Sequence, residues 1–226
     1  MPVTAVDDSA DAVMDVVFLH GLDGDAHKTW SANGGPGMPQ WLGEHFPQIG
    51  VYTVGYAASA SRWRKGRALP IVQRATNLLA ELQNKGIGSR PVCLVTHSMG
   101  GLLAKEMVLQ SKDGAVHPGF AQAVRGVVFV ATPHQGSNLA SLLDGFRRVA
   151  RATAAAKDLV KYSPHLADAA FRYRSWAEPR GIEHLVFFET YKTRNTAVVV
   201  DPGSADPGFA GVRPIPVDAD HIQICK

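Results

Sequence analysis

The amino-acid sequence predicts an α/β fold, a compact and mostly parallel sheet of about six strands with helices on both faces. Three observations predict it. Short apolar runs without polar alternation, such as Val16-Val17-Phe18-Leu19 and Gly126-Val127-Val128-Phe129-Val130, suit strands buried on both faces. Helical spacing appears between such runs, as in the stripe Ile71, Ala75, Leu78, Leu79 and Leu82 that Gly86 closes. Finally, two of the runs break off into glycine-bearing turns, His20-Gly21-Leu22-Asp23-Gly24 and Thr96-His97-Ser98-Met99-Gly100-Gly101, where a strand hands over to the next element.

Composition narrows the class. With 226 residues, 46% hydrophobic and 19% charged, the chain fits a single domain, 1–226, with a sizeable core. A formal charge of +3 without a Lys/Arg block does not support nucleic-acid binding and suits at most weak contact with an anionic membrane surface. Cys93 lies inside an apolar run and Cys225 at the tail, so no disulfide framework is expected and a reducing, cytoplasmic setting is. Met1 to Asp15 is acidic and carries no basic segment followed by an apolar core, and no run approaches the ~18 apolar residues of a spanning helix.

In chain order, the first strand is Val16 to Leu19, followed by its HG turn and a loop, Asp25 to Pro39, too rich in Gly and Pro for regular structure. Gln40 to Phe46 reads as a short helix and Val51 to Tyr56 as the second strand. Ser59 to Leu69 is a basic loop around Trp63, read as a solvated surface. The run Pro91 to Val95 leads into the Ser98 turn, and Leu102, Leu103, Met107 and Val108 give the next helix its buried stripe. After the strand Gly126 to Val130, residues 137–179 break the rhythm with a long helix-compatible stretch, expected as a cap over the carboxyl edge of the sheet. His184 to Thr190 is the next strand, Ala197 to Val200 a further extended piece, and Val212 to Val217 the last strand.

The chemistry gathers at Ser98. A strand ending abruptly on Ser, with Gly100 and Gly101 beyond it and a helix starting at once, is a nucleophile elbow of the G-x-S-x-G type, with Thr96 in the first glycine position. The turn exposes the hydroxyl, and the backbone N–H groups of Leu22 and Met99 are the expected oxyanion donors. A serine nucleophile needs a base and a carboxylate to orient that base. In the α/β-hydrolase arrangement the chain order is Ser, acid, His, and of nine histidines His221 alone follows the last strand. Among the others, His97 is expected to point away from the nucleophile, His20 to brace the oxyanion loop and His134 to line the pocket. His27, His45, His117, His165 and His184 read as surface or packing residues. Two acids compete: Glu189, at the end of its strand, and Asp201, after the next extended piece. Asp218 and Asp220 stand too close to His221 in sequence and read as caps of the final turn. No metal or organic cofactor is needed for this chemistry, and no ligand cluster or phosphate loop appears.

Taken together, several stretches resemble the serine-active-site-containing lipase-like proteins. These are His20-Gly21-Leu22 with Lys28-Thr29-Trp30, His97-Ser98-Met99-Gly100-Gly101-Leu102-Leu103, Thr132-Pro133-His134-Gln135-Gly136-Ser137, Phe188-Glu189-Thr190 and Asp220-His221-Ile222-Gln223. That group includes a mitochondrial protein of phosphatidylglycerol remodelling and is related more distantly to glycosylphosphatidylinositol inositol deacylases. The resemblance implies an α/β-hydrolase fold and a lipid or acyl-ester substrate, and it favours Glu189 as the acid. The expected activity is hydrolysis of carboxylic esters through an acyl-enzyme. A different class, a regulated or latent effector module built on a hydrolase fold, is the alternative.

Overall fold

A computed structural model of the chain describes residues 3–32, 35–56, 70–134, 163–193 and 198–226. The basic loop around Trp63 and residues 137–162 of the expected cap lie outside these residues. Strand β1 is Val3–Asp7, β2 Met14–Leu19, β3 Ile49–Val54, β4 Val92–His97, β5 Val124–Val130, β6 Glu183–Glu189 and β7 Ile215–Val217. They form one seven-stranded sheet in the order β1-β3-β2-β4-β5-β6-β7. β1 runs antiparallel to β3, and every other neighbouring pair is parallel.

The continuous apolar runs follow from burial on two sides. Along β2, Val17 and Leu19 enter one core while Val16 and Phe18 enter the other. On the first face lie α2 (Ile71–Asn84) and α3 (Met99–Lys112), whose Leu78, Leu82, Leu103 and Met107 are fully buried. On the second face Trp30 packs edge-on against Phe18 at 5.0 Å, with Leu42 of α1 (Met38–His45) and the C-terminal Cys225 beside it. The short helix α4 (Phe120–Ala123) leads directly into β5.

Two strands differ from the sequence reading. β1 carries no apolar run, because it is an edge strand with only Val3 buried and a register shift between Ala5 and Asp7. The last strand shrinks to Ile215–Val217, where Pro214 and Pro216 supply no backbone N–H for a longer ladder. Of the expected cap, the described part is α5 (Ser163–Ala177). Leu166, Tyr173, Trp176 and Ala177 of α5 are buried in the same core as α2 and α3, so this helix belongs to the layer flanking the sheet. A hydrogen bond and an ion pair tie it to α3 and the residue that ends it: His165 Nε2 lies 3.1 Å from Glu106 Oε2, and Arg172 Nη2 2.6 Å from Asp113 Oδ2.

Covered by the sheet and by α5, helix α3 buries even its Lys105. The ammonium lies 2.8 Å from His134 Nδ1 and over the Phe129 ring. Burial pushes it from its ordinary 10.5 down to about 7. Between those values the unfolded chain holds a proton that the folded one lacks, so stability rises with pH across that window. Below about 7 the destabilising contribution is fully present, and above 10.5 it is gone. The melting temperature is therefore expected to gain more between pH 7 and about pH 9.5 in the wild type than in Lys105→Met, measured by calorimetry. Identical slopes in the two proteins would refute this.

Candidate active site

The site is assembled where strands end and helices begin. Strand β4 ends on Thr96 and His97, and Ser98 follows at once as the residue before helix α3. The Thr96 hydroxyl donates to the Val128 carbonyl on β5 at 2.9 Å, so the β-branched side chain is accommodated against the neighbouring strand. Ser98 then takes φ 54° and ψ −122°, a strained conformation for a residue with a side chain, and its N–H donates to the Val130 carbonyl at 2.9 Å. Helix α3 starts at the next residue, so Met99 presents one of the N–H groups that a helix N-terminus leaves without an intrahelical partner.

The glycines allow this crowding. A Cβ on Gly100 would overlap the Leu19 carbonyl oxygen and lie 2.7 Å from that of His20, at the end of β2. A Cβ on Gly101 would overlap the Thr132 side chain, whose hydroxyl donates to the Ser98 carbonyl at 3.2 Å. Gly21 brings the loop that carries Leu22 alongside, since a Cβ there would come 2.8 Å from Ser98 Cβ. His20 braces that loop as expected: Nδ1–H donates to the Gly21 carbonyl at 2.8 Å, and its ring stacks on Tyr56 at 4.0 Å. Tyr56, whose hydroxyl donates to the His20 carbonyl, escaped the sequence reading because it stands at the end of an ordinary strand pattern.

His221 arrives from the loop beyond β7. Its Nε2 lies 3.1 Å from Ser98 Oγ and its Nδ1 3.1 Å from Glu189 Oε1. The carboxylate only accepts, so Nδ1 carries the proton toward Glu189 and Nε2 is left to accept from the serine hydroxyl. All three residues are buried. Glu189 Oε1 also accepts from the N–H groups of Val199 at 2.9 Å and Val200 at 2.7 Å. The piece read as extended at Ala197 to Val200 is thus, over its described residues, a backbone cradle for the acid rather than a strand. Glu189 Oε2 has no partner among the described residues.

Asp201 is occupied elsewhere. Its Oδ1 accepts from the Ser204 N–H at 2.9 Å, capping α6 (Pro202–Ala205). Asp220 caps the final turn through Ile222 and Gln223, as expected, while Asp218 accepts from the Thr190 hydroxyl at 3.1 Å. His97 does not point away from the site: its Nε2 donates to the His221 carbonyl at 2.9 Å. Burial holds that imidazole neutral, down to about 3. His134 is buried on Lys105, and His184 Nε2 lies 2.9 Å from the Tyr173 hydroxyl. Among the described residues, no group of three or more His, Cys, Asp and Glu side chains could hold a metal ion, and no helix is long and apolar enough to cross a membrane.

Residues 16–222 match a family described as the alpha/beta hydrolase family. Protein SERAC1 of Bos taurus is 33% identical over 236 residues, covering 94% of this chain and 36% of its own length, so the chain spans about a third of that relative. The thioesterase RedJ, from the prodiginine biosynthetic pathway of Streptomyces coelicolor, superposes with a TM-score of 0.53 at 18% identity over 98% of this chain and 84% of RedJ. The phospholipase PlaB of Legionella pneumophila does so with a TM-score of 0.52 at 19% identity, over 88% of this chain and 43% of PlaB. Both solved structures share the layered sheet described above.

Proposed function

The chain belongs to the alpha/beta hydrolase family, and on that premise we propose that it is a serine hydrolase cleaving carboxylic esters of acyl or lipid-like substrates through an acyl-enzyme. The observation that carries this reading is the relay from Ser98 Oγ to His221 Nε2 and from His221 Nδ1 to Glu189 Oε1, each step 3.1 Å. In the proposed cycle Ser98 attacks the ester carbonyl while His221 takes its proton. Glu189 holds the imidazole in the Nδ1–H tautomer and stabilises the imidazolium that forms. The N–H groups of Met99 and Leu22 receive the oxyanion, a contribution of roughly 3 kcal/mol per donor in sites of this kind. His221 then protonates the leaving alcohol, and water releases the acyl group by the same route in reverse.

Labelling with a fluorophosphonate probe, followed by mapping of the modified peptide, tests the reading together with turnover of p-nitrophenyl esters of graded chain length. Modification at Ser98 with ester turnover is expected. A folded protein that neither labels nor turns over would instead support the latent effector module. Turnover of acyl thioesters far above the matched oxygen esters would move the substrate class while keeping the residues in their roles.

A further inference from the structure

The sheet stops short of the base in this site. β7 is three residues long and pairs with Phe187 to Glu189, at the end of β6. Past it the N–H groups of Thr190 and Tyr191 still donate to the Val217 and Ala219 carbonyls, at 3.1 and 3.0 Å, but among the described residues no such main-chain bond reaches His221 itself. Two buried side chains fix the main chain there instead. Thr193 Oγ1 accepts the His221 N–H at 3.0 Å, and His97 Nε2 donates to the His221 carbonyl at 2.9 Å. His97 is the last residue of β4, immediately before Ser98. One rigid strand end therefore carries the serine directly and grips the backbone of its proton acceptor through the adjoining ring.

Resting on the serine-hydrolase reading, we propose that His97 is a positioning residue, which sets the His221 main chain in register with the nucleophile strand so that Nε2 meets Ser98 Oγ. Three further observations bear on it. A carbonyl only accepts, so the His97 proton resides on Nε2 and Nδ1 is bare. That Nδ1 is buried with no partner among the described residues, an arrangement that folding stability by itself disfavours. Finally, the His97 and His221 ring centroids lie 4.9 Å apart. A cation at His97 would oppose the imidazolium formed during catalysis, whereas a neutral donor does not. The position thus calls for a side chain that donates one hydrogen bond and carries no charge.

Glutamine can place an amide N–H where His97 has Nε2, and leucine cannot. His97→Leu is expected to lower kcat by about 10²-fold, the penalty of a misplaced reacting group. KM should stay within about 2-fold, because substrate contacts are untouched. His97→Gln should recover kcat to within about 5-fold of wild type. Thermal melts establish that both variants are folded. Proton NMR gives a readout independent of turnover: the downfield resonance of the His221 Nδ1–H should persist in wild type and His97→Gln and be lost in His97→Leu. Should His97→Leu keep kcat within about 3-fold, or His97→Gln fall as far as His97→Leu, with the resonance intact throughout, the inference is overturned. A wild type silent toward both probe and esters overturns the serine-hydrolase reading, and the resonance in the two variants then decides the positioning role alone.

Discussion

Ser98→Ala is expected to lower ester turnover by about 10⁶-fold and to abolish fluorophosphonate labelling, while the fold is kept. Alanine removes only Oγ. The N–H to Val130 and the carbonyl that receives the Thr132 hydroxyl are main-chain groups and survive, so the turn retains its hydrogen bonds. A single hydroxyl then accounts for the whole change. Rates measured with p-nitrophenyl esters, beside a thermal melt, check this. Residual turnover above about one per cent of wild type would assign the nucleophile to another residue or to an activated water.

Glu189→Gln is expected to reduce kcat by about 10²- to 10⁴-fold. The isosteric amide can keep its oxygen where Val199, Val200 and His221 donate, so the cradle remains satisfied. What disappears is the negative charge that stabilises the imidazolium. Glu189→Ala is less informative, since it leaves two buried backbone N–H groups without an acceptor and destabilises the fold. Asp201→Asn should leave kcat within about 3-fold, because asparagine caps a helix as well as aspartate does. Near-wild-type activity in Glu189→Gln together with loss in Asp201→Asn would transfer the acid role.

The choice between those two acids shows where sequence reasoning stops. Glu189 ends a strand and Asp201 follows a piece that reads as extended, and both stand far enough from His221 in sequence to meet it. The resemblance to a family favoured Glu189, but the physical reason lies in contacts between distant segments. Val199 and Val200 turn their N–H groups onto Glu189, while Pro202 and Ser204 draw Asp201 into a cap. His97 shows the same limit. From its position beside Ser98 it reads as pointing away from the nucleophile, and only the return of the C-terminal loop supplies the carbonyl it bonds.

By itself the sequence determined the parallel core, the alternation of strands and helices from β2 to β5, the turn at Ser98 and the placing of His221 after the last strand. Each is written locally, in two-sided apolar runs, in the 3.6-residue period and in glycines that admit a close approach. Tertiary structure alone decided the antiparallel edge strand β1, the packing of Ser163–Ala177 into the layer beside α3, the acid that faces His221 and the grip of His97 on the base. These depend on which main-chain groups from remote parts of the chain come within about 3 Å of one another, a distance that no local pattern encodes.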